Sequence, residues 1–347
     1  MKVAIIHHQF ANKGGMETYL FDLIKGFISA GDSIEVITYK QDQSIVIPPN
    51  CTVKKQSILA PKMLKKFFFM YNINKNFNKL NYDVSLSLTR TASQNMVICG
   101  GTHKGYLEYI NKKPLLKDFV EIYFEQKCYL NSPHIIAHSS LVKAEMEKFY
   151  HVDPAKIHLL YPPVNTEKFN LLQRPHRNEY IKNFGLAKEK TKLLFPSTGH
   201  KRKGWFELLE AFKILPKNEF ELVIAGRELG KIADFDNIKS LGFIKDMPSL
   251  YQACDFTILP SYYEPFGLVV IESLQCGTPV IISDMVGAKD FVNAKTGIVF
   301  HGINVQNIIS AIYNARMTKF EVPANFAELH NLTIDYHISK IKEICKK

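Results

Sequence analysis

Glu264 and Glu272 are the carboxylates whose placement first suggests chemistry. Seven residues separate them, and Pro265-Phe266-Gly267 follows the first. Phe256–Leu259 is an apolar run too short for a helix and is stopped by Pro260, so it reads as a strand. Ser261–Gly267 is a polar and aromatic loop. From Gly267 the apolar residues Leu268, Ile271 and Leu274 recur at helical spacing; Gly277 and Pro279 end that helix, and Val280–Ile282 begins the next buried strand. Glu264 therefore stands in the loop before the helix, and Glu272 about one and a half turns into it. The amides of Phe266, Gly267 and Leu268 fall between them, at the positive end of the helix dipole. Such a unit can hold an anion flanked by two hydrogen-bond acceptors.

Three other groups could share that chemistry. Arg202-Lys203-Gly204 lies in the glycine-bounded loop from Gly199, just before a helix from Trp205. Two cations there could neutralise a pyrophosphate leaving group, although a basic tripeptide is also what a solvated loop looks like. Gly14-Gly15-x-Glu17 sits at the first strand-to-helix turn, where two glycines let the backbone approach a ligand. It lacks the G-x-G-x-x-G spacing of a dinucleotide site and reads equally as a tight turn. Gly100-Gly101-Thr102-His103 forms a loop after another strand, with His7, His8 and Lys104 as further pocket walls. Gly226-Arg227 and Gly242-Phe243-Ile244 occur at strand ends, where glycines are also found without any ligand.

The elements that must position these groups alternate. Val3–Ile6 is a strand, residues 16–30 a helix with Tyr19, Leu20, Leu23, Ile24 and Phe27 on one face, and Ile34–Thr38 a second strand. Strands follow at 84–88, 96–99, 135–140 and 157–160, with helices at 115–130 and 141–150. Pro162-Pro163 and the polar run Val164–Phe169 read as a linker. The second half restarts with strands at 192–196, 220–225 and 238–243 and helices at 205–215, 246–253 and 305–316, and a last helix begins near Thr333. Strand–helix alternation in both halves predicts two parallel α/β sheets, each covered by helices on both faces. The chain has 347 residues, more than one core usually serves. Expected domains are 1–164 and 165–329, with a helix from about 330 to 347 returning to the first.

Composition narrows the partners. No segment has the roughly 18–20 uncharged apolar residues of a membrane span. The six cysteines are scattered without a C-x-x-C, so neither a zinc cluster nor a disulfide framework is expected and a reducing, cytoplasmic compartment fits. The net charge is +11; residues up to Asn165 hold 20 basic and 13 acidic side chains, and the remainder 24 and 20. The stretch 61–80 mixes Lys62, Lys65, Lys66, Lys75 and Lys79 with Met63, Leu64, Phe67, Phe68, Phe69, Met70 and Tyr71. It suits either a basic, aromatic-faced helix on an anionic membrane or a crossover helix whose rings enter the core. No recognised module accompanies the lysines, so nucleic acid is not an expected partner.

The run from Leu259 to Leu268, with Glu272-Ser273 and Gly277-Thr278-Pro279-Val280, resembles the signature of the retaining glycosyltransferases of family 4 (GT4), which have the GT-B fold of two Rossmann-like doubly wound domains facing a cleft. It is similar in particular to bacterial lipopolysaccharide-core glucosyltransferase-like members. The resemblance spans nearly the whole chain and is strongest from Pro196 to Ser283. It implies that the amides of Phe266, Gly267 and Leu268 hold the donor diphosphate, that Glu272 accepts from the ribose hydroxyls, and that Glu264 accepts from the donor sugar. Lys203 matches the family's Lys-Gly, with Arg202 a looser match to its arginine. Gly14 and Gly15 match the loop that closes over the donor, His103 the histidine aimed at the sugar, and Gly226, Phe243 and Ile244 the walls of the nucleotide site.

The implied reaction is transfer of a sugar from a nucleotide diphosphate sugar, UDP-linked by family frequency, to a hydroxyl of a glycan or lipid-linked acceptor in bacterial surface polysaccharide synthesis. It would proceed with retention and without a metal or other cofactor; Asp234-x-Asp236 reads as a solvated loop pair. A same-fold nucleotide-sugar epimerase and a non-catalytic nucleotide-sugar-binding protein are the alternatives. The expected location is cytoplasmic, peripheral on the inner membrane face if 61–80 binds lipid.

Overall fold

The computed structural model describes residues 1–11, 14–172, 174–227 and 235–346. The chain divides into two units, Met1–Pro163 with Leu332–Lys347, and Val164–Asn331.

Unit 1 begins with β1 (Lys2–Ile6), β2 (Gln9–Phe10), α1 (Gly15–Ser29), β3 (Ser33–Thr38), β4 (Lys40–Gln41) and β5 (Cys51–Lys55). It continues with α2 (Lys65–Asn76), β6 (Val84–Ser87), β7 (Met96–Cys99), α3 (His103–Tyr109), α4 (Leu116–Asn131), β8 (His134–Ala137), α5 (Ser140–Tyr150) and β9 (Ile157–Leu159). Seven strands form one sheet in the order β5-β3-β1-β6-β7-β8-β9, with all pairings parallel. β2 and β4 form a separate parallel pair. The order reverses beside β1, since β3 and β5 lie on one side of it and β6 to β9 on the other. In a doubly wound sheet this is where the strand ends diverge and leave a crevice. Val3–Ile6 is wholly buried, as a strand covered by helices on both faces must be. Leu20, Leu23, Ile24 and Phe27 of α1 pack into the same core as Val3, Ile5 and Leu86.

Unit 2 contains α6 (Arg177–Asn183), β10 (Thr191–Ser197), α7 (Trp205–Ile214), β11 (Phe220–Gly226), β12 (Ile238–Ser240), α8 (Met247–Ala253) and β13 (Phe256–Leu259). Next come α9 (Leu268–Gln275), β14 (Val280–Ser283), β15 (Gly297–Phe300), α10 (Val305–Met317) and α11 (Phe326–Leu329). Its six strands are parallel in the order β12-β11-β10-β13-β14-β15. α12 (Ile334–Cys345) then joins unit 1, where Ile338, Ile341 and Ile344 enter the core beside α1.

Several sequence expectations change. β5 and α6 were not foreseen; only Cys51 of β5 is buried, so the strand carries little apolar signal. The strand expected over 238–243 stops at Ser240. Residues 164–169 are more than a linker, because Phe169 is buried against Tyr251 and Gln252 donates to the Asn170 carbonyl. Helix α2 is shorter than the 61–80 stretch, and it buries Phe69, Met70 and Ile73 while leaving Phe68 and Tyr71 exposed. The Asp234-x-Asp236 pair includes Asp234, which lies outside the described residues.

Candidate active site

In unit 2 the loop between β13 and α9 is pinned by backbone bonds. Glu264 N–H donates to the Met285 carbonyl at 3.0 Å, and the Glu264 carbonyl accepts from Gly287 at 2.8 Å. The Phe266 carbonyl accepts from Ala288 at 2.7 Å. These bonds place Glu264 and the first amides of α9 without help from side chains. Gly267 caps the helix, and Leu268 is its first residue.

The cations approach the same carboxylate. Glu264 Oε2 lies 3.1 Å from Arg202 Nη1 and 3.7 Å from Lys203 Nζ. The oxygen is buried and makes no aligned hydrogen bond, so the contact is one of charge. Arg202 also donates to the Tyr263 carbonyl, and Lys203 Nζ to the Pro196 carbonyl at 3.0 Å. Lys203 is buried. Burial lowers its pKa from the ordinary lysine value; Glu264, and more weakly Glu272, oppose that shift, while Arg202 adds to it. The loop that carries this pair reaches the end of β13 only because residue 204 is glycine. Its φ is +73°, and a Cβ there would stand 1.9 Å from the Pro260 carbonyl oxygen.

Glu272 lies on α9, and its Oε2 accepts from the Tyr251 hydroxyl at 2.8 Å. Tyr251 is fully buried, and burial, followed by the Glu272 charge, holds its hydroxyl protonated well above the usual range. Glu264, Glu272, Arg202, Lys203 and the start of α9 are thus brought together. Gly226 and Phe243-Ile244 form a second group. Gly226 N–H donates to the Gly242 carbonyl at 2.8 Å, and the turn leaves Phe243 76% exposed and Ile244 half-buried. Gly226 also has a packing reason to be glycine, because a Cβ would stand 2.2 Å from the Ser197 carbonyl oxygen at φ +126°.

In unit 1 a cavity of about 430 Å³ opens at the carboxyl ends of β1, β6 and β7. His7, His8, Gly15, Glu17, Arg90 and Glu125 are among its walls, together with Gly100 and Gly101. Gly14 is the extended residue that caps α1. Lys104 is not part of the wall, since its Nζ donates to the Phe149 carbonyl at 2.7 Å.

His103 opens α3 rather than lying in a loop, with Thr102 as the N-cap whose hydroxyl accepts from Gly105 N–H. The His103 imidazole is 3.0 Å, Nε2 to Oδ1, from Asp118, whose other oxygen accepts from Leu115 N–H at 2.7 Å. The His103 amide donates to Glu125 Oε2 at 2.7 Å. Glu125, fully buried, also accepts from the Tyr150 hydroxyl and from Arg90 Nε at 2.9 Å. Arg90 in turn meets Glu121, which pairs with Lys66 at 2.9 Å. Asp118, Glu125, Tyr150 and Tyr251 were all missed from sequence. Each meets its partner across 15 to 25 residues, and no local motif records such a contact.

Two units, each a parallel sheet wound with helices, make this a chain of the GT-B architecture. Residues 13–168 match the family model described as Glycosyltransferase Family 4, and residues 176–321 match the one described as Glycosyl transferases group 1. A probable transglycosylase of Burkholderia thailandensis is 34% identical over 290 residues, which cover 83% of this chain and 78% of the relative. The chain belongs to glycosyltransferase family 4, and it is a transferase by that membership. Among solved structures it is similar to WaaG, a glycosyltransferase involved in lipopolysaccharide biosynthesis, with TM-score 0.76, 16% identity and coverage of 99% of this chain and 97% of that one. It is equally similar to Anabaena HepE in complex with UDP-glucose, with TM-score 0.76, 16% identity and coverage of 100% and 99%. Identities this low speak for the fold alone.

Proposed function

We propose that this glycosyltransferase moves a hexose from a UDP-sugar to a hydroxyl of a glycan or lipid-linked acceptor in bacterial surface polysaccharide synthesis, with retention and without a metal in the transfer step. The observation that carries the reading is the Glu264–Arg202–Lys203 cluster beside the first amides of α9, with Glu272 fixed nearby by Tyr251. The cations and amides are donors suited to a diphosphate. The two carboxylates are acceptors suited to hydroxyls, Glu272 for the ribose and Glu264 for the sugar. UDP is further favoured by HepE, whose structures hold UDP and UDP-glucose.

The proposed step breaks the bond between the anomeric carbon and the diphosphate oxygen while the acceptor oxygen attacks the same face. Negative charge develops on the departing diphosphate, toward Arg202, Lys203 and α9, and a diphosphate oxygen takes the acceptor proton. His103 is assigned to the sugar by the family resemblance of its Gly-Gly-Thr-His segment. The polar wall of the unit 1 cavity, with Arg90 already paired to carboxylates, suits a neutral, hydroxyl-bearing acceptor better than an anionic one.

Thermal shifts against UDP, GDP, ADP and their sugars would read donor class directly, because a ligand that binds only the folded state stabilises it by mass action. UDP-sugars should give the largest shift, and NMR of the product should show the donor's anomeric configuration. Inversion, or an epimerised donor formed without acceptor, would overturn the reading. UDP binding with neither transfer nor slow hydrolysis would mark a binding protein instead. The proposed location is cytoplasmic, against an anionic membrane face through residues 61–80.

A further inference from the structure

His7 and His8 follow β1 directly, and Glu17 lies in the first turn of α1. Their ligating atoms all lie within 4.8 Å of one another. His7 Nε2 and Glu17 Oε1 are 3.3 Å apart. Around a tetrahedral ion with bonds of about 2.0–2.2 Å, ligand atoms stand about 3.3–3.6 Å from each other. That pair, now a hydrogen bond, is already at the ligand spacing, and part-buried His8 offers a nitrogen within 4.8 Å of the ligand atoms of the other two.

Gln9 donates to Glu17 Oε1 and would orient the carboxylate from behind. The Nδ1 atom of His8 is buried and makes no hydrogen bond. The nearby cations do not fill the role, because Lys66 is engaged by Glu121 and Arg90 by Glu121 and Glu125. Two histidines and one carboxylate beside an open cavity match a familiar ligand set for zinc and related ions.

We infer that His7, His8 and Glu17 form a site for one divalent transition metal, zinc or a similar borderline cation, with its remaining coordination positions open to the cavity in unit 1. The site lies in the wall of the cavity proposed for the acceptor, and its test needs neither donor nor acceptor. The full chain is titrated with Co2+ at neutral pH, following visible absorption, and with Zn2+ by calorimetry. One equivalent should bind. His8→Ala and Glu17→Gln should each weaken binding by about 100-fold or more, and Gln9→Ala by about 10-fold. His158→Ala disrupts the other close histidine pair of unit 1, in which His134 Nδ1 and His158 Nε2 are 3.1 Å apart, and should leave binding unchanged. Circular dichroism would confirm that each variant is folded, and part-buried His8 is the substitution least apt to disturb the core. No stoichiometric binding at micromolar metal, affinity unmoved by His8→Ala, or binding lost with His158→Ala would each overturn the site and leave a hydrogen-bond network only.

Discussion

Glu264 is placed so that its removal should be felt in chemistry more than in folding. Its Oε2 faces Arg202 and Lys203 at 3.1 and 3.7 Å and makes no aligned hydrogen bond. Glu264→Ala should abolish transfer, and the isosteric Glu264→Gln should lower kcat by about 10²–10³-fold, the scale of one lost electrostatic partner. UDP binding should survive in part, because the α9 amides and Glu272 remain. Full turnover in Glu264→Ala would sink the assignment. Asp118 should act through His103. With Nε2–H donating to Asp118 at 3.0 Å, the ring presents Nδ1 as an acceptor. Asp118→Ala should release that tautomer, visible in the ring nitrogen shifts by NMR, and lower kcat by about tenfold or more. An unchanged tautomer would rule the arrangement out. Glu264 and Glu272 were legible in the sequence because one strand–loop–helix unit carries both. Asp118 and Glu125 were not, because an acidic residue on a helix has no signature of the distant partner it will meet.

At the scale of elements, α2 and α4 act as a pair. Lys66 on α2 meets Glu121 on α4 at 2.9 Å, and the rings of Phe67 and Phe124 stack at 5.5 Å. Outward from that seam, Leu64, Phe68 and Tyr71 of the α2 segment and Leu116, Phe119, Val120 and Tyr123 of α4 stay exposed at helical spacing, with Met63 88% and Leu116 85% exposed. Lys62, Lys65, Lys112, Lys113, Lys117 and Lys127 occur beside them in sequence. The sequence showed one basic aromatic stretch and could not divide its rings. Phe69, Met70 and Ile73 go to the core, and α4 supplies the second stripe. Apolar side chains among lysines are what an anionic lipid surface would take up. The chain should therefore co-sediment with vesicles rich in phosphatidylglycerol and much less with neutral ones, and less at high salt. Phe68→Ser with Leu116→Ser and Phe119→Ser should reduce that binding several-fold without changing the melting temperature by much, since these residues are exposed. Equal binding by the triple variant would remove the membrane reading. No helix among the described residues is long and apolar enough to cross a membrane, so any attachment through these helices is to the surface.

At the scale of the whole chain, the return of α12 to unit 1 ties residues far apart in sequence. The last helix and its return to the first domain were expected from the sequence, but what fastens it was not. His337 on α12 is buried; its Nε2 lies 2.6 Å from the Tyr19 hydroxyl and its Nδ1 3.0 Å from the Tyr161 carbonyl. The Tyr19 ring packs edge-on against both His337 and buried His138. Burial pushes both imidazoles down to about 3, with His337 adding to the shift of His138 and the Tyr161 carbonyl opposing that of His337. The folded state therefore holds them neutral, while the unfolded chain protonates near the ordinary value of about 6.5. The unfolded state binds more protons between those values, so stability is fully present above about pH 6.5 and falls as pH drops toward 3. From pH 7 to 5 each imidazole should remove about 2 kcal/mol. Urea denaturation at the two pH values should show this loss, and His337→Gln should make the pH dependence shallower by about one imidazole's share, even if it lowers stability at pH 7. A variant with the same slope as the native chain would mean that the acid sensitivity lies elsewhere.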